Sequence, residues 1–180
     1  SHNLGLIEWK GINRPELLRE VANADHPPLA LTFLGFEKKQ IEHALDGFGF
    51  LVPEVEKKKI LGTLFSSTLF PNRSPRDHVL LTSFIGGERN PELSELPKRD
   101  LLALAFSENQ ALLKIRGTPI FEHHKIWPES IPIPDKSTEK RVRAAKTLRE
   151  ENQGLNILGA HISGAPLPNC MVPNDSSLFD

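Results

Sequence analysis

The sequence is short of several residues that mark functional classes. It carries a single cysteine, Cys170, which excludes an internal disulfide and a multi-cysteine metal site and fits a reducing compartment. A reactive thiol needs a base or a cation beside it, and the flanking Asn169, Met171, Val172 and Pro173 offer neither, so Cys170 reads as inert. Excess charge of one sign is also missing: 22 basic residues face 23 acidic ones, for a net charge of −1. That balance lacks the electrostatic footprint of a nucleic-acid binder, and no nucleic-acid partner is expected. No apolar run approaches the roughly 18 residues of a helical membrane span, and no signal peptide opens the chain. The chain reads as cytoplasmic, soluble or at most peripheral at a membrane face. Methionine is equally scarce. Met171 is the only one, and the chain opens on Ser1-His2-Asn3, so it reads as a portion of a longer protein with a short scar in front.

Catalytic signatures are absent as well. Gly47-Phe48-Gly49 lacks the third glycine and the following helix of a dinucleotide loop. There is no Walker loop, no serine nucleophile elbow and no paired catalytic carboxylates on a rigid element, so no catalytic residue is assigned. His123 and His124 are adjacent, and neighbours on a strand point to opposite faces, which excludes a shared ion.

What the chain does have is apolar strand-forming sequence. Residues 48–52 and 60–70 are apolar runs flanking a Glu/Lys-rich segment, which predicts two strands joined by a polar hairpin loop with Ser66 and Ser67 inside the second strand. Residues 29–36 and 78–85 predict two more, the last stopped by Gly86-Gly87. Asn13-Arg14-Pro15-Glu16 resembles a helix start with Asn13 as cap, opening a helix of about three turns. Residues 100–114 predict a helix closed by Gly117, 118–127 a strand, 137–153 a helix with Gly154 just past its end, and 155–158 a short strand running into the loop GAHISGAPLPNC. The mixed charges of residues 136–149 suggest a solvated helix face. The expected fold class is α+β: an antiparallel or mixed sheet meander packed by about three helices, of a size that can bury roughly 70% of its unfolded surface. On one face Leu51 accompanies Gly49, and Leu64 and Phe84 join it if the registers match.

Taken in order, LDGFGFLVP, ILGTLFSSTLFPNRSP, VLLTSFIGGERNPEL, IWPESIP and GLNILGAHISGAPLPNC resemble the carboxyl-terminal, substrate-binding portion of oxygen-dependent protoporphyrinogen oxidase, within the flavin amine oxidase superfamily. The resemblance implies a flavoprotein of haem biosynthesis that oxidises protoporphyrinogen IX to protoporphyrin IX, with FAD taking the hydride and dioxygen regenerating it. It implies residues 1–153 as substrate-binding portion and 154–180 as the segment returning to the flavin domain. By motif position it assigns Leu51, Leu64 and Phe84 to the tetrapyrrole ring, and Trp127, Ala165, Pro166 and Leu167 to the neighbourhood of the flavin.

Within that family the dinucleotide-binding domain, its phosphate loop and the propionate-clamping arginine precede the matching region. This chain is therefore expected to lack them, to retain no FAD and to be inactive alone. Two departures stand out: Ile133-Pro134-Asp135-Lys136-Ser137 replaces a Gln-Tyr and Gly-His continuation, and residues 171–180 carry a proline and polar residues that oppose a helix. The rival reading is a non-enzymatic tetrapyrrole-binding or protein-interaction module. A flavin amine oxidase or a coproporphyrinogen-specific relative comes third. An exposed apolar wall of this kind takes up its ligand or is covered by self-association, as a homodimer.

Overall fold

The computed structural model describes residues 10–170, apart from the side chain of Leu167. The expectations about the opening tripeptide and about residues 171–180 lie outside the described residues. In chain order the elements are α1 (Glu16–Ala22), β1 (Leu29–Glu37), β2 (Gly49–Leu51), β3 (Ile60–Phe65), α2 (Ser66–Leu69), β4 (His78–Gly86), α3 (Lys98–Leu113), β5 (Phe121–Trp127), α4 (Thr138–Glu151), α5 (Ala160–Ser163) and α6 (Leu167–Cys170). The class is α+β as expected, and among the described residues three α-helices, α1, α3 and α4, exceed four residues. The chain divides into two compact units, one of them Pro27–Ser130 and the other made of the residues on either side.

Pro27–Ser130 holds one sheet in the order β2-β3-β4-β1-β5, every pair antiparallel. The strands β2, β3 and β4 form the expected meander, but β1 enters between β4 and β5, so the sheet is not a meander throughout. In β1, Ala30, Thr32, Leu34 and Phe36 are buried, while Leu29, Leu31 and Phe33 stay partly exposed. That alternation marks a sheet covered on one side. The cover is α3, whose Leu101, Leu102, Ala105, Asn109 and Leu113 recur at helical spacing and are buried against the sheet. Lys114, in the left-handed region at φ 54°, ends that helix, three residues before the Gly117 expected to do so.

A polar cluster crosses this core. Thr63 donates to Asn109 Oδ1 (2.9 Å), Asn109 Nδ2 donates to Ser83 Oγ (2.7 Å) and to the Ala105 carbonyl (2.8 Å), and the two hydroxyls lie 2.8 Å apart. Buried hydroxyls so satisfied fix the register of α3 on the sheet, because any slide would orphan them. Glu108, also on α3, accepts from the backbone N–H groups of Lys59 and Ile60 at 3.0 Å each and so fixes where β3 begins.

The expected second strand of residues 60–70 is shorter. It ends at Phe65, and Ser66 and Ser67 belong to the one-turn helix α2 instead. There Ser66 bonds Thr82 through their hydroxyls (2.7 Å) and Ser67 Oγ accepts from the Leu80 N–H.

The second unit is built on α1 and α4. Leu18 and Val21 pack with Ala144, Ala145, Leu148 and Ile162. α1 runs seven residues rather than three turns, and Asn13 does not cap it. Instead the Asn13 backbone N–H donates to Asn152 Oδ1 (2.6 Å) and its side chain donates to the Glu151 carbonyl (2.9 Å), tying the entry of α1 to the end of α4. The solvated face expected over residues 136–149 contains one buried cation: Arg141 is 1% exposed. It donates to the His161 carbonyl (3.2 Å), the Asn23 carbonyl (3.0 Å), Thr138 Oγ1 (2.8 Å) and Ser137 Oγ, and its guanidinium lies 3.1 Å from the Asp135 carboxylate. A buried guanidinium is tolerated because nearly all its donors are used. The strand expected at 155–158 does not form, and the loop expected after it folds into α5 and α6.

Candidate functional site

The sheet face opposite α3 remains open, and its composition follows from register. Directly opposed residues share a face, so Leu51, Gly62, Phe84, Leu31 and Lys125 form one row across all five strands. The next row is Gly49, Leu64, Thr82, Phe33 and His123. Leu51, Leu64 and Phe84 therefore lie on one face of three neighbouring strands. Leu51 is 86% exposed, whereas Leu64 and Phe84 are partly buried.

A β-bulge produces this arrangement. Ile60 pairs with Ile85, but Gly62 pairs with Phe84, so two steps along β3 match one along β4. Ile60 turns into the core with no exposure, and from Gly62 onward the strand presents the opposite parity. Without the extra residue Leu64 would oppose Leu81, a core residue. The bulge thus moves Leu64 from the core to the open face.

Two glycines flatten the same region. A Cβ on Gly62 would stand 2.5 Å from the Phe50 carbonyl oxygen and 3.1 Å from Leu51 Cα, and one on Gly49, at φ 140°, would stand 2.1 Å from the Thr63 carbonyl oxygen. Gly62 sits between Leu51 and Phe84 in the row, and Leu51 Cδ2 lies 3.2 Å from where a Cβ on Gly62 would stand, so the Leu51 side chain packs over the buried glycine. Neighbouring strands are about 4.8 Å apart, which puts the Leu51 and Phe84 backbones about 10 Å from each other. Such a surface suits a flat apolar ligand. At the lower end of the face a cavity of about 380 Å³ is lined by Gly35, Leu80, Ile120 and Phe121, with Arg73 at its margin.

Several residues of this face escaped the sequence reading. Leu31, Phe33, His123 and Lys125 stand in the same two rows, but β1 is apolar on both faces, and alternation could not tell its open side from its core side. His123 and His124 point to opposite faces, against Phe33 and Thr32 respectively. Trp127 ends β5, 48% exposed, on the same face as Lys125, whose ammonium lies 5.2 Å from the indole centroid.

Ala165, Pro166 and Leu167 belong to the other unit. Gly164, at φ 80°, ends α5; Ala165 and Pro166 are exposed, and the Pro166 carbonyl accepts from Asn169 and Cys170 as α6 begins. The Cys170 thiol donates to the Gly164 carbonyl (3.1 Å). In α5, His161 Nε2 and Ser163 Oγ are buried without a hydrogen-bond partner among the described residues. Burial, aided by the positive charge of Arg141, pushes the His161 imidazole down from 6.5 to about 4 and keeps it neutral. Hydrogen bonds from Ser137, with the Arg141 charge and Thr138, hold the Asp135 carboxyl below its ordinary range.

Residues 7–164 match the model of the flavin containing amine oxidoreductase family. The chain belongs to that family. Among relatives, protoporphyrinogen oxidase 2, chloroplastic/mitochondrial, of Arabidopsis thaliana is 36% identical over 154 residues, taking in 84% of this chain and 30% of the relative. Coproporphyrinogen III oxidase of Staphylococcus aureus (strain NCTC 8325 / PS 47) is 22% identical over 148 residues, or 82% of this chain and 32% of that one. A solved structure of a candidate protoporphyrinogen oxidase from Exiguobacterium sp. 255-15 superposes with a TM-score of 0.67 at 19% identity, covering 89% of this chain and 34% of the other. The oxidoreductase family thus accounts for most of the chain, and the chain spans about a third of the length of these relatives. Among the described residues no helix is long and apolar enough to cross a membrane.

Proposed function

We propose that the open face is the ring-contacting wall of a tetrapyrrole site, and that this chain is the substrate-binding portion of a flavin-dependent oxidase converting protoporphyrinogen IX to protoporphyrin IX. The observation that carries this reading is the placement of Leu51, Leu64 and Phe84 on one face of three neighbouring strands, around Gly62. A porphyrinogen is broad and apolar with charge only on its carboxylates, so its site needs apolar area and few polar anchors. The leucines and Phe84 supply dispersion contacts to the ring and exclude water from it; none of the three can move a proton. Their part is to fix the orientation of the disc.

The residues of α5 and the turn after it fit a polar group of the flavin kind. Two buried polar atoms, His161 Nε2 and Ser163 Oγ, have no partner among the described residues, and the exposed Ala165 and Pro166 follow directly. When bound, FAD would supply the redox chemistry, taking hydride from the substrate and passing electrons to dioxygen. Ala165, Pro166 and Leu167 would add to its contacts, and Trp127 is proposed for the flavin on motif position alone. The phosphate end needs a glycine-rich loop at a helix amino terminus, and no such loop occurs within these 180 residues. We therefore place tight FAD retention outside this chain's own capacity, and assign residues 154–180 to the segment that returns to the flavin domain.

A titration of protoporphyrin IX into the protein tests the reading. Leu64→Arg sets an unpaired charge against the ring at a cost of several kcal/mol, enough to abolish the emission change seen with the wild type. The variant should remain folded, because Leu64 is partly exposed and outside the α3-facing core. Equal binding by a folded Leu64→Arg protein would overturn the assignment.

A further inference from the structure

Leu51 owes its place on the open face to the strand that carries it, because a side chain 86% exposed has little packing of its own to fix it. That strand, β2, is three residues long and lies at the edge of the sheet with β3 as its neighbour. Its bonds to β3 run from the Phe48 carbonyl, which accepts from the Phe65 N–H (2.9 Å), to the Val52 N–H, which donates to the Leu61 carbonyl (2.9 Å). Pro53 follows and has no N–H with which to continue the ladder. The Val52 carbonyl, next to Leu51, accepts instead from Arg89 Nη1 at 2.9 Å. Arg89 comes from the turn after β4, two strands or about 10 Å from β2 at the usual strand spacing. That turn is a firm base. The Gly87 N–H donates to the Pro28 carbonyl (2.8 Å), and a Cβ on Gly86 would stand 3.0 Å from both that oxygen and Ser94 Cβ.

We infer that Arg89 is a positioning residue of the candidate site: it pins the end of β2 to the turn after β4 and so holds Leu51 against the ligand, without touching the ligand itself. The inference rests on the reading of the open face given above and adds the device that keeps its edge in place. A charged donor makes a stronger hydrogen bond to a carbonyl than a neutral one, and this bond reaches past β3, so β2 is fastened to the far side of its neighbour as well as to the neighbour. With the bond cut, the Val52 carbonyl loses that donor, β2 keeps its short ladder to β3 alone, and the exposed Leu51 moves with it. Leu64 and Phe84 stand on β3 and β4, each paired on both sides, and do not depend on Arg89. A lysine at this position supplies a donor on a flexible stem without the planar fork, so it restores the tie in part.

Amide hydrogen exchange of the free 180-residue chain reads the tie without any ligand. Arg89→Ala should speed exchange of the Val52 amide about tenfold and leave the amides paired between β1 and β4 at their wild-type rates, and Arg89→Lys should fall between. Both variants should stay folded, since Arg89 is partly exposed and outside the α3-facing core. Protoporphyrin IX and its dimethyl ester are then titrated into the same proteins. Arg89→Ala should weaken both probes about fivefold, within the roughly tenfold loss expected of Leu51→Ala; in a Leu51→Ala background it should change affinity by less than about twofold, because its effect passes through that side chain. An unchanged Val52 amide overturns the inference. So does a loss confined to the diacid, which would make Arg89 a ligand contact, or an equal loss with and without Leu51, which would make it a general stabiliser. If Phe84→Ser weakens both probes and Arg89→Ala weakens neither, the positioning role is refuted and the apolar wall stands. Binding of neither probe in a Phe84-dependent way refutes the wall and Arg89's part in it together.

Discussion

Replacing Gly62 with alanine perturbs the candidate site by a single methyl group whose collisions are known in advance. The added Cβ meets the Phe50 carbonyl oxygen at 2.5 Å and Leu51 Cα at 3.1 Å, both backbone atoms, and Leu51 Cδ2 at 3.2 Å. A flexible side-chain tip could yield, but the first two require β2 to move. β2 is an edge strand of three residues, so the sheet can shed part of the strain by loosening the β2–β3 pairing. Overpacking of this kind costs about 1–3 kcal/mol, and an edge strand that yields places the expectation near 1–2 kcal/mol. Displacing β2 carries Leu51 away from Leu64 and Phe84, so tetrapyrrole affinity should fall along with stability. Urea unfolding and the porphyrin titration measure the two effects. Gly47→Ala is the control: a Cβ there has no atom within 4 Å, and its effect should stay within about 0.5 kcal/mol. Wild-type stability and affinity in Gly62→Ala would refute both the close β2–β3 approach and the apolar wall that depends on it.

Two further outcomes follow from buried polar groups. Asn109→Ala should cost about 2–3 kcal/mol in urea unfolding, since it removes three hydrogen bonds of a fully buried side chain and leaves a cavity under α3; an effect below about 0.5 kcal/mol would contradict the cluster's role. The His161 imidazole titrates near 4 in the folded protein against 6.5 in the unfolded chain, so between those values the unfolded state binds the extra proton, and stability is present above pH 6.5 and drains away as the pH falls toward 4. The full shift would correspond to about 3 kcal/mol, which residual solvent access around the ring reduces to about 1–2 kcal/mol. His161→Gln should show a shallower loss over that window; parallel slopes would refute a buried neutral histidine.

The sequence conveyed the parts of this fold that local chemistry dictates. β1 and β4 were legible as apolar runs bounded by prolines and glycines, α3 from Leu101, Leu102, Ala105 and Leu113 at helical spacing, and α4 from its end signals. What local pattern could not convey was pairing. The insertion of β1 between β4 and β5 is a tertiary choice, and the bulge at Leu61 reverses the parity of β3 with no distinctive residue type to announce it. For that reason the open face could be assembled only from motif resemblance, and Leu31, Phe33, His123 and Lys125 went unnoticed beside the three residues it supplied. Arg141 looked like one more charge on a solvated helix because its partners, Asn23, Asp135 and His161, come from three separate segments. Asn13 carries the residue type of a cap, but Arg14 at φ 60° redirects the chain so that its side chain meets the end of α4 instead.

The central claim is that a tetrapyrrole lies flat on the sheet face opposite α3. Methyl NMR of the protein titrated with protoporphyrin IX reads this directly, because the macrocycle's ring current shifts only the methyl groups beneath it. The account predicts large upfield shifts for Leu51, Leu64 and Leu31, with Leu81 and Leu101 on the α3 side unmoved. Shifts concentrated on any other surface, or none at saturating porphyrin, would contradict it.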